Sequence, residues 1–255
     1  MPKKKEANMK SSIIAQIKSG LIAPVLMVAT IMLLGVGSPA SGEGNQRNPR
    51  ILPPQSHPFG KTYGQWAAAW WQWAFSIPEA RNPVADTTGE FAGVGQTGPV
   101  WFLAGTFGNS AERIVTVPKG KFIFMPVHNW IFGAGVFDCD PTVPGVPCDV
   151  PTLREKAAAA TTGAEVVEAW IDGVQVNNIR DYRGISPEPF SITLPEGAVF
   201  GIPAGTYYPQ VADGYWLMLT PLREGMHTIQ VHVVNSAAGI DQNLLVHLNV
   251  GKRNE

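Results

Sequence analysis

The chain has 255 residues, is 45% hydrophobic and only 15% charged, and carries 27 Gly and 22 Pro. That apolar content is enough for a packed core and excludes wholesale disorder, while so much Gly and Pro suits many strands joined by turns. A formal net charge of −1 leaves no electrostatic footprint for nucleic acid.

Residues 1–40 read as a signal peptide. A basic start (Lys3, Lys4, Lys5, Lys10, Lys18) runs into the apolar LIAPVLMVATIMLLGVG at 21–37, and Ser38 and Ala40 hold the −3 and −1 positions for cleavage before Ser41. The alternative is an uncleaved anchor, but 17 apolar residues broken by Pro24 are marginal for spanning a hydrocarbon core of ~30 Å. No twin Arg precedes the run, and no Cys follows the cleavage site to take a lipid. The pattern predicts a periplasmic or secreted protein that meets the membrane only through this segment. Removal of 1–40 takes away five Lys and one Glu, leaving 14 basic and 19 acidic residues, a net charge of −5.

Residues 41–58 (SGEGNQRNPRILPPQSHP) have no period and read as a flexible leader. A long helix follows over 63–77. Thr62 and Gln65 form its capping box, Ile77-Pro78 stops it, and Tyr63, Trp66, Trp70, Trp73 and Ile77 share one stripe with Trp71 on the flank. Gln65 and Gln72 lie opposite. Each indole can bury 150–250 Å², so the stripe predicts a docking face.

From residue 98 the pattern is of short strands: PVWFLAGTF, RIVTV, KFIFMPV, EVVEAWI, VQVNN, PFSITL, AVFGI, YWLMLT, HTIQVHVV and LLVHLNV. Cys139 and Cys148, the two cysteines, bracket a Pro/Gly-rich loop (CDPTVPGVPC). In an exported chain that even count predicts a disulfide, worth roughly 2–3 kcal/mol by loop closure. A second, short helix fits 153–161, with Thr152 and Glu155 as its box and Gly163 as its stop. Asp172-Gly173 reads as a two-residue hairpin turn. TVPKGKFIFMP (116–126) aligns without gaps on TLPEGAVFGIP (193–203), each copy reading as a hairpin. The sum is a mainly β chain: an antiparallel β-sandwich or jelly roll with one N-terminal Trp-rich helix and one short mid-chain helix. Residues 59–250 make one β-sandwich domain, with a sub-division near 163 left open and 251–255 as a tail.

Aromatic side chains on predicted loops (Trp130, Tyr182, Tyr207, Tyr208, Tyr215) are candidate ligand-binding residues, since rings at loop tips stack on sugar faces. His128, with Asn129, ends a strand beside the Trp130 loop and joins them. Asp138, Asp140 and Asp149 surround the predicted disulfide and could hold Ca²⁺, which takes oxygen ligands at flexible geometry; the plainer reading is turn-capping carboxylates. His227 sits at the rim of the core, whereas His232 and His247 fall on one outer face, directly opposite or diagonal if their strands pair. No nucleophile elbow, H-E-x-x-H, P-loop or dinucleotide fingerprint is present. Asp181 and Glu188 are the remaining unassigned carboxylates that could act as a pair.

YGQWAAAWWQWAFSIP, GQTGPVWFLAGTF, VPKGKFIFMPVHN and DGYWLMLTPLREGMHTI resemble an uncharacterised family of exported bacterial proteins, over about residues 60–250. The resemblance implies export and brings no activity, cofactor or catalytic residue with it.

These observations favour an exported non-catalytic binding or envelope-associated protein, with carbohydrate as ligand. A hydrolase or lyase acting on extracellular polymers, through an acid pair or metal in the sandwich cleft, is the second reading. A purely structural exported protein is the third. The sequence sets no oligomeric state.

Overall fold

The structure, a computed structural model, describes residues 50–135, 138–139 and 149–251, with the backbone alone at 138–139. The predicted signal peptide, the predicted Cys139–Cys148 pairing, Asp140 and the side chain of Asp138 lie outside the described residues. Those described all belong to one compact unit, Arg47–Glu255.

Helix α1 spans Tyr63–Phe75. The Thr62 hydroxyl accepts from the Gln65 N–H at 3.1 Å and the Gln65 side chain accepts from the Thr62 N–H at 2.9 Å, which satisfies two of the helix's four unpaired donors. Pro78 bars Ile77 from helical geometry, and the buried Asn82 amide closes the end by donating to the Ala74 and Ile77 carbonyls at 2.8 and 2.9 Å. Trp66, Trp70, Trp71 and Trp73 are all buried, with Gln65 and Gln72 exposed opposite them. Gly64 is required by a close approach: a Cβ there would lie 1.7 Å from the Ile185 carbonyl oxygen.

The described strands are β1 (Val100–Phe102), β2 (Ala111–Pro118), β3 (Phe122–Ala134), β4 (Asp138–Cys139), β5 (Val166–Ile171), β6 (Val174–Gln175), β7 (Arg183–Ile185), β8 (Phe190–Leu194), β9 (Gly205–Leu219), β10 (Gly225–Asn235) and β11 (Ile240–Gly251), with helix α2 (Val150–Thr162) between β4 and β5. One sheet runs β1–β3–β9–β7, with β4 added on β3 and β8 on β9; the second runs β2–β11–β10–β5–β6. The fold is therefore mainly β and sandwich-like, as the patterning predicts. The sheets are mixed in detail, since β1–β3, β3–β4 and β2–β11 pair in parallel.

Period-two alternation gives the first sheet two apolar faces. Ile123, Met125, Val127, Leu217 and Leu219 pack inward against Val167, Ala169, Ile229, Val231, Val233, Val246 and Leu248 of the second sheet. Phe124, Trp216 and Met218 point the other way and meet α1. There Trp216 stacks on Phe124 (centroids 5.1 Å apart, 7° between planes) and meets Trp70 edge-on at 5.6 Å. The order of layers is α1, first sheet, second sheet. Among the described residues the second sheet's outer face carries no such apolar covering.

Several expectations change. Residues 50–58 of the leader are built into the fold: Ile51 bridges Leu219, and Pro54–Ser56 and Pro58–Gly60 form 3₁₀ turns. AVFGI is a 3₁₀ turn (Val199–Gly201) with Phe200 left-handed, φ 61°. The first aligned copy is not a hairpin, because β2 and β3 belong to different sheets, while in the second β8 pairs antiparallel with β9, which begins only after the copy ends. Helix α2 starts earlier than the Thr152–Glu155 box places it: Asp149 is the N-cap, its carboxylate accepting from the Thr152 N–H at 3.0 Å. Asp172 (φ 51°) and Gly173 (φ 76°) do make the expected two-residue turn of the primed kind.

Candidate functional site

Four of the six sequence-predicted ligand residues converge, but not on loops. A register shift between Pro126 and His128 lets β3 continue through Ala134, so His128 and Trp130 are strand residues facing α2. Tyr215 lies opposite His128 on β9 and is 3% exposed; Tyr182 ends the short 3₁₀ turn Ile179–Tyr182 and is half-buried. The loop placement of Trp130, Tyr207, Tyr208 and Tyr215 is thus corrected, since all four are strand residues. Tyr207, half-buried, donates its hydroxyl to the Pro203 carbonyl at 2.8 Å on β9's far end, and of these rings Tyr208 alone is well exposed, at 59%.

The convergent residues form a polar seam where α2 takes over from the second sheet. The Trp130 indole N–H lies 3.1 Å from His128 Nε2. An indole can only donate, so Nε2 accepts and His128 is neutral with its proton on Nδ1. The Ala160 carbonyl, 3.3 Å from the same nitrogen, takes its hydrogen bond from Asn235 at 3.0 Å. Burial pushes the imidazole below its ordinary value; the Ala160 carbonyl opposes this and the Arg180 charge adds to it. Arg180 lies over the Tyr215 ring at 5.6 Å and donates to the Ala164 carbonyl at 2.7 Å. Beside it, Arg183 grips the buried Asp213 through two bonds of 2.9 and 2.6 Å, which hold the guanidinium above its ordinary value. Both guanidinium groups, the Asp213 carboxylate, the Trp130 N–H and the Asn235 amide are spent on neighbours. The seam fastens the 3₁₀ turn Ile179–Tyr182, the helix and the strands together.

Of the metal candidates only the Asp149 side chain is among the described residues, and among these no group of three His, Cys, Asp or Glu could hold a metal ion. Asp149 is occupied as the α2 cap, and the Thr152 hydrogen bonds hold its carboxyl below the usual range. His232 pairs with Asn243 and His247 with Thr228. The two histidines are neither opposite nor diagonal but four positions apart, about 13 Å along the strands. His247 contacts Glu112 at 2.8 Å; His232 lies 3.6 Å from both Glu168 and Asp241. His227 bonds Asp172 at 2.8 Å. Asp181 and Glu188 are both exposed.

The second sheet's outer face is the surface sequence reasoning missed. Its register sets Glu112, Leu245, Gln230, Trp170 and Gln175 side by side on five successive strands. The neighbouring row holds Asn243, His232 and Glu168. Glu112, Gln230, Asn243 and Gln175 are exposed, with Trp170, Leu245, His232 and Glu168 half-buried. A shallow open depression of ≈ 390 Å³ runs between Ser110, Glu112, Gln230, Asn243 and Leu245. Alternation in VVEAWI and HTIQVHVV marks Trp170 and Gln230 as outward-facing. What no pattern supplies is the β5–β10–β11–β2 order that aligns them.

No family model matches the chain, and no curated protein matches it. A solved structure described as PbICP-C in complex with falcipain-2 aligns with a TM-score of 0.20 at 9% identity, over 60% of this chain and 99% of that one. At that score the likeness carries no argument.

Proposed function

We propose that this is an exported, non-catalytic binding protein whose working surface is the outer face of the second sheet, with an extended carbohydrate as ligand. One observation carries the reading: the row Glu112, Leu245, Gln230, Trp170 and Gln175 crosses five strands on an exposed face. Strands lie ≈ 4.8 Å apart, close to the length of one pyranose ring, so successive sugars along the row meet successive side chains. Amides donate to and accept from hydroxyl groups, and carboxylates accept from them. Half-buried Trp170 offers a ring for the apolar face of a sugar. Export is supported by the basic, apolar and small-residue succession of residues 1–40.

Glycan-array binding, run beside a polysaccharide-degradation screen, tests this. The expected result is retention of a polymeric glycan without cleavage. Degradation would favour the hydrolase or lyase reading, and an empty array would contradict a carbohydrate ligand.

A further inference from the structure

The charge of the sandwich is polarised along the strands. At one end lie the end of β2, the start of β3, the end of β9, the start of β10 and the end of β11: Ile123 pairs with Leu219, Gly225 with Val250, and the Lys119 N–H donates to the Gly251 carbonyl. The chain reaches this end at Arg50, whose carbonyl accepts from the Thr220 N–H at 2.8 Å. Arg50, Lys61, Lys119 and Arg223 are exposed here and Lys121 is half-buried. Set against these five cations are the carboxylates of Asp172, 3.7 Å from Arg50, and Glu224, 3.1 Å from Lys119. The opposite end, around α2, exposes Glu112, Glu155, Glu165, Asp181, Glu188 and Asp241, set against exposed Arg180 and half-buried Arg154, Lys156 and Arg183.

Two large apolar side chains stand out from the same basic end. Phe59 is 49% exposed and Met226 65%. Phe59 has a left-handed backbone (φ 55°), an unfavourable state for a bulky residue, and its ring rests edge-on against Phe122 at 4.9 Å and Trp66 at 6.2 Å. Lys61 lies over the Trp66 ring at 4.6 Å. Cations beside exposed aromatic and apolar tips are the chemistry that a lipid headgroup region takes up.

We propose that this end of the sandwich, with Arg50, Lys61, Lys119, Lys121 and Arg223 around Phe59 and Met226, docks on an anionic lipid surface. Charge complementarity orients the molecule, because the acidic end is repelled as the basic end is attracted. The sheet face proposed for carbohydrate lies along the side of the sandwich, so the two readings stand or fall separately.

The test uses the protein in the form an exporting host leaves it, sedimented with vesicles of phosphatidylcholine alone or of phosphatidylcholine and phosphatidylglycerol at about three to one. Binding is expected to the anionic vesicles, none to the neutral ones, with release at high salt. Each surface cation contributes about a fivefold factor, so Lys61→Gln with Arg223→Gln should weaken binding roughly 25-fold. Both side chains are exposed; melting curves check folding, and the single variants should each show about fivefold. Arg81→Gln with Lys156→Gln, away from this end, should change nothing. Equal binding to neutral vesicles, no vesicle binding, equal loss in the control pair, or binding to heparin but not to vesicles would each overturn the proposal.

Discussion

Replacing Trp70 by Ala removes the ring at the centre of the α1 contact. Trp70 is 1% exposed, packs on Trp71, Trp73 and Trp216 at 5.0, 5.7 and 5.6 Å, and donates its indole N–H to the Leu103 carbonyl at 3.1 Å. An indole of that burial hides 150–250 Å², and at about 25 cal/mol/Å² its removal costs up to ~4–6 kcal/mol. Partial collapse of the void recovers some of this, while the orphaned Leu103 carbonyl adds to the cost. We expect a loss of about 3–5 kcal/mol. In a domain of this size that is a fall in Tm of roughly 10–15 °C. Urea unfolding followed by far-UV circular dichroism measures it without relying on the deleted fluorophore. Gln72→Ala, on the exposed face of the same helix, should cost under about 1 kcal/mol although it loses the bond to the Ser191 carbonyl. A Trp70→Ala loss no larger than that of Gln72→Ala would refute the docked-helix account.

Gly64→Ala should destabilise by about 1–3 kcal/mol, because the new Cβ collides with the Ile185 carbonyl; a gain from helix propensity, read by the same unfolding curve, would contradict that contact. Arg183→Ala should cost about 3–5 kcal/mol by stranding a buried carboxylate, whereas Asp213→Asn leaves a partly solvated guanidinium and should cost about 2 kcal/mol. The reverse order would show that the pair is not anchored by its buried partner. His128 is neutral when folded and its pKa is depressed by burial. Its unfolded value is near 6.5, so below that pH the unfolded chain gains a proton the folded one resists, and stability falls as pH drops through 6.5. Above it the group has no effect. His128→Gln should flatten this part of the stability–pH profile; an unchanged slope would place the titration elsewhere.

The features legible in the sequence are those whose cause is local. Helix α1 is written in Thr62, Gln65, Pro78 and the indole spacing, and the β5–β6 turn in Asp172-Gly173. The site was not legible, for two physical reasons. The parallel pairs β1–β3 and β2–β11 join distant segments, and no local pattern names a partner. The irregularity after Pro126 also keeps β3 extended through Trp130, so a ring that punctuation assigns to a loop is laid against α2 instead. Arg180, Arg183, Asp213 and Asn235 went unmarked because each has an unremarkable sequence neighbourhood. Asp213 did carry a signal, a carboxylate inside the apolar run of β9.

The central claim is that the second sheet's outer face binds the ligand and the α2 seam does not. Binding of the array-identified glycan, measured by calorimetry on folded variants, tests it most directly. Trp170→Ala and Gln230→Ala should abolish or strongly weaken binding, while Tyr182→Ala and His128→Gln should leave it intact. Loss in the seam variants with full binding in the face variants would contradict the account.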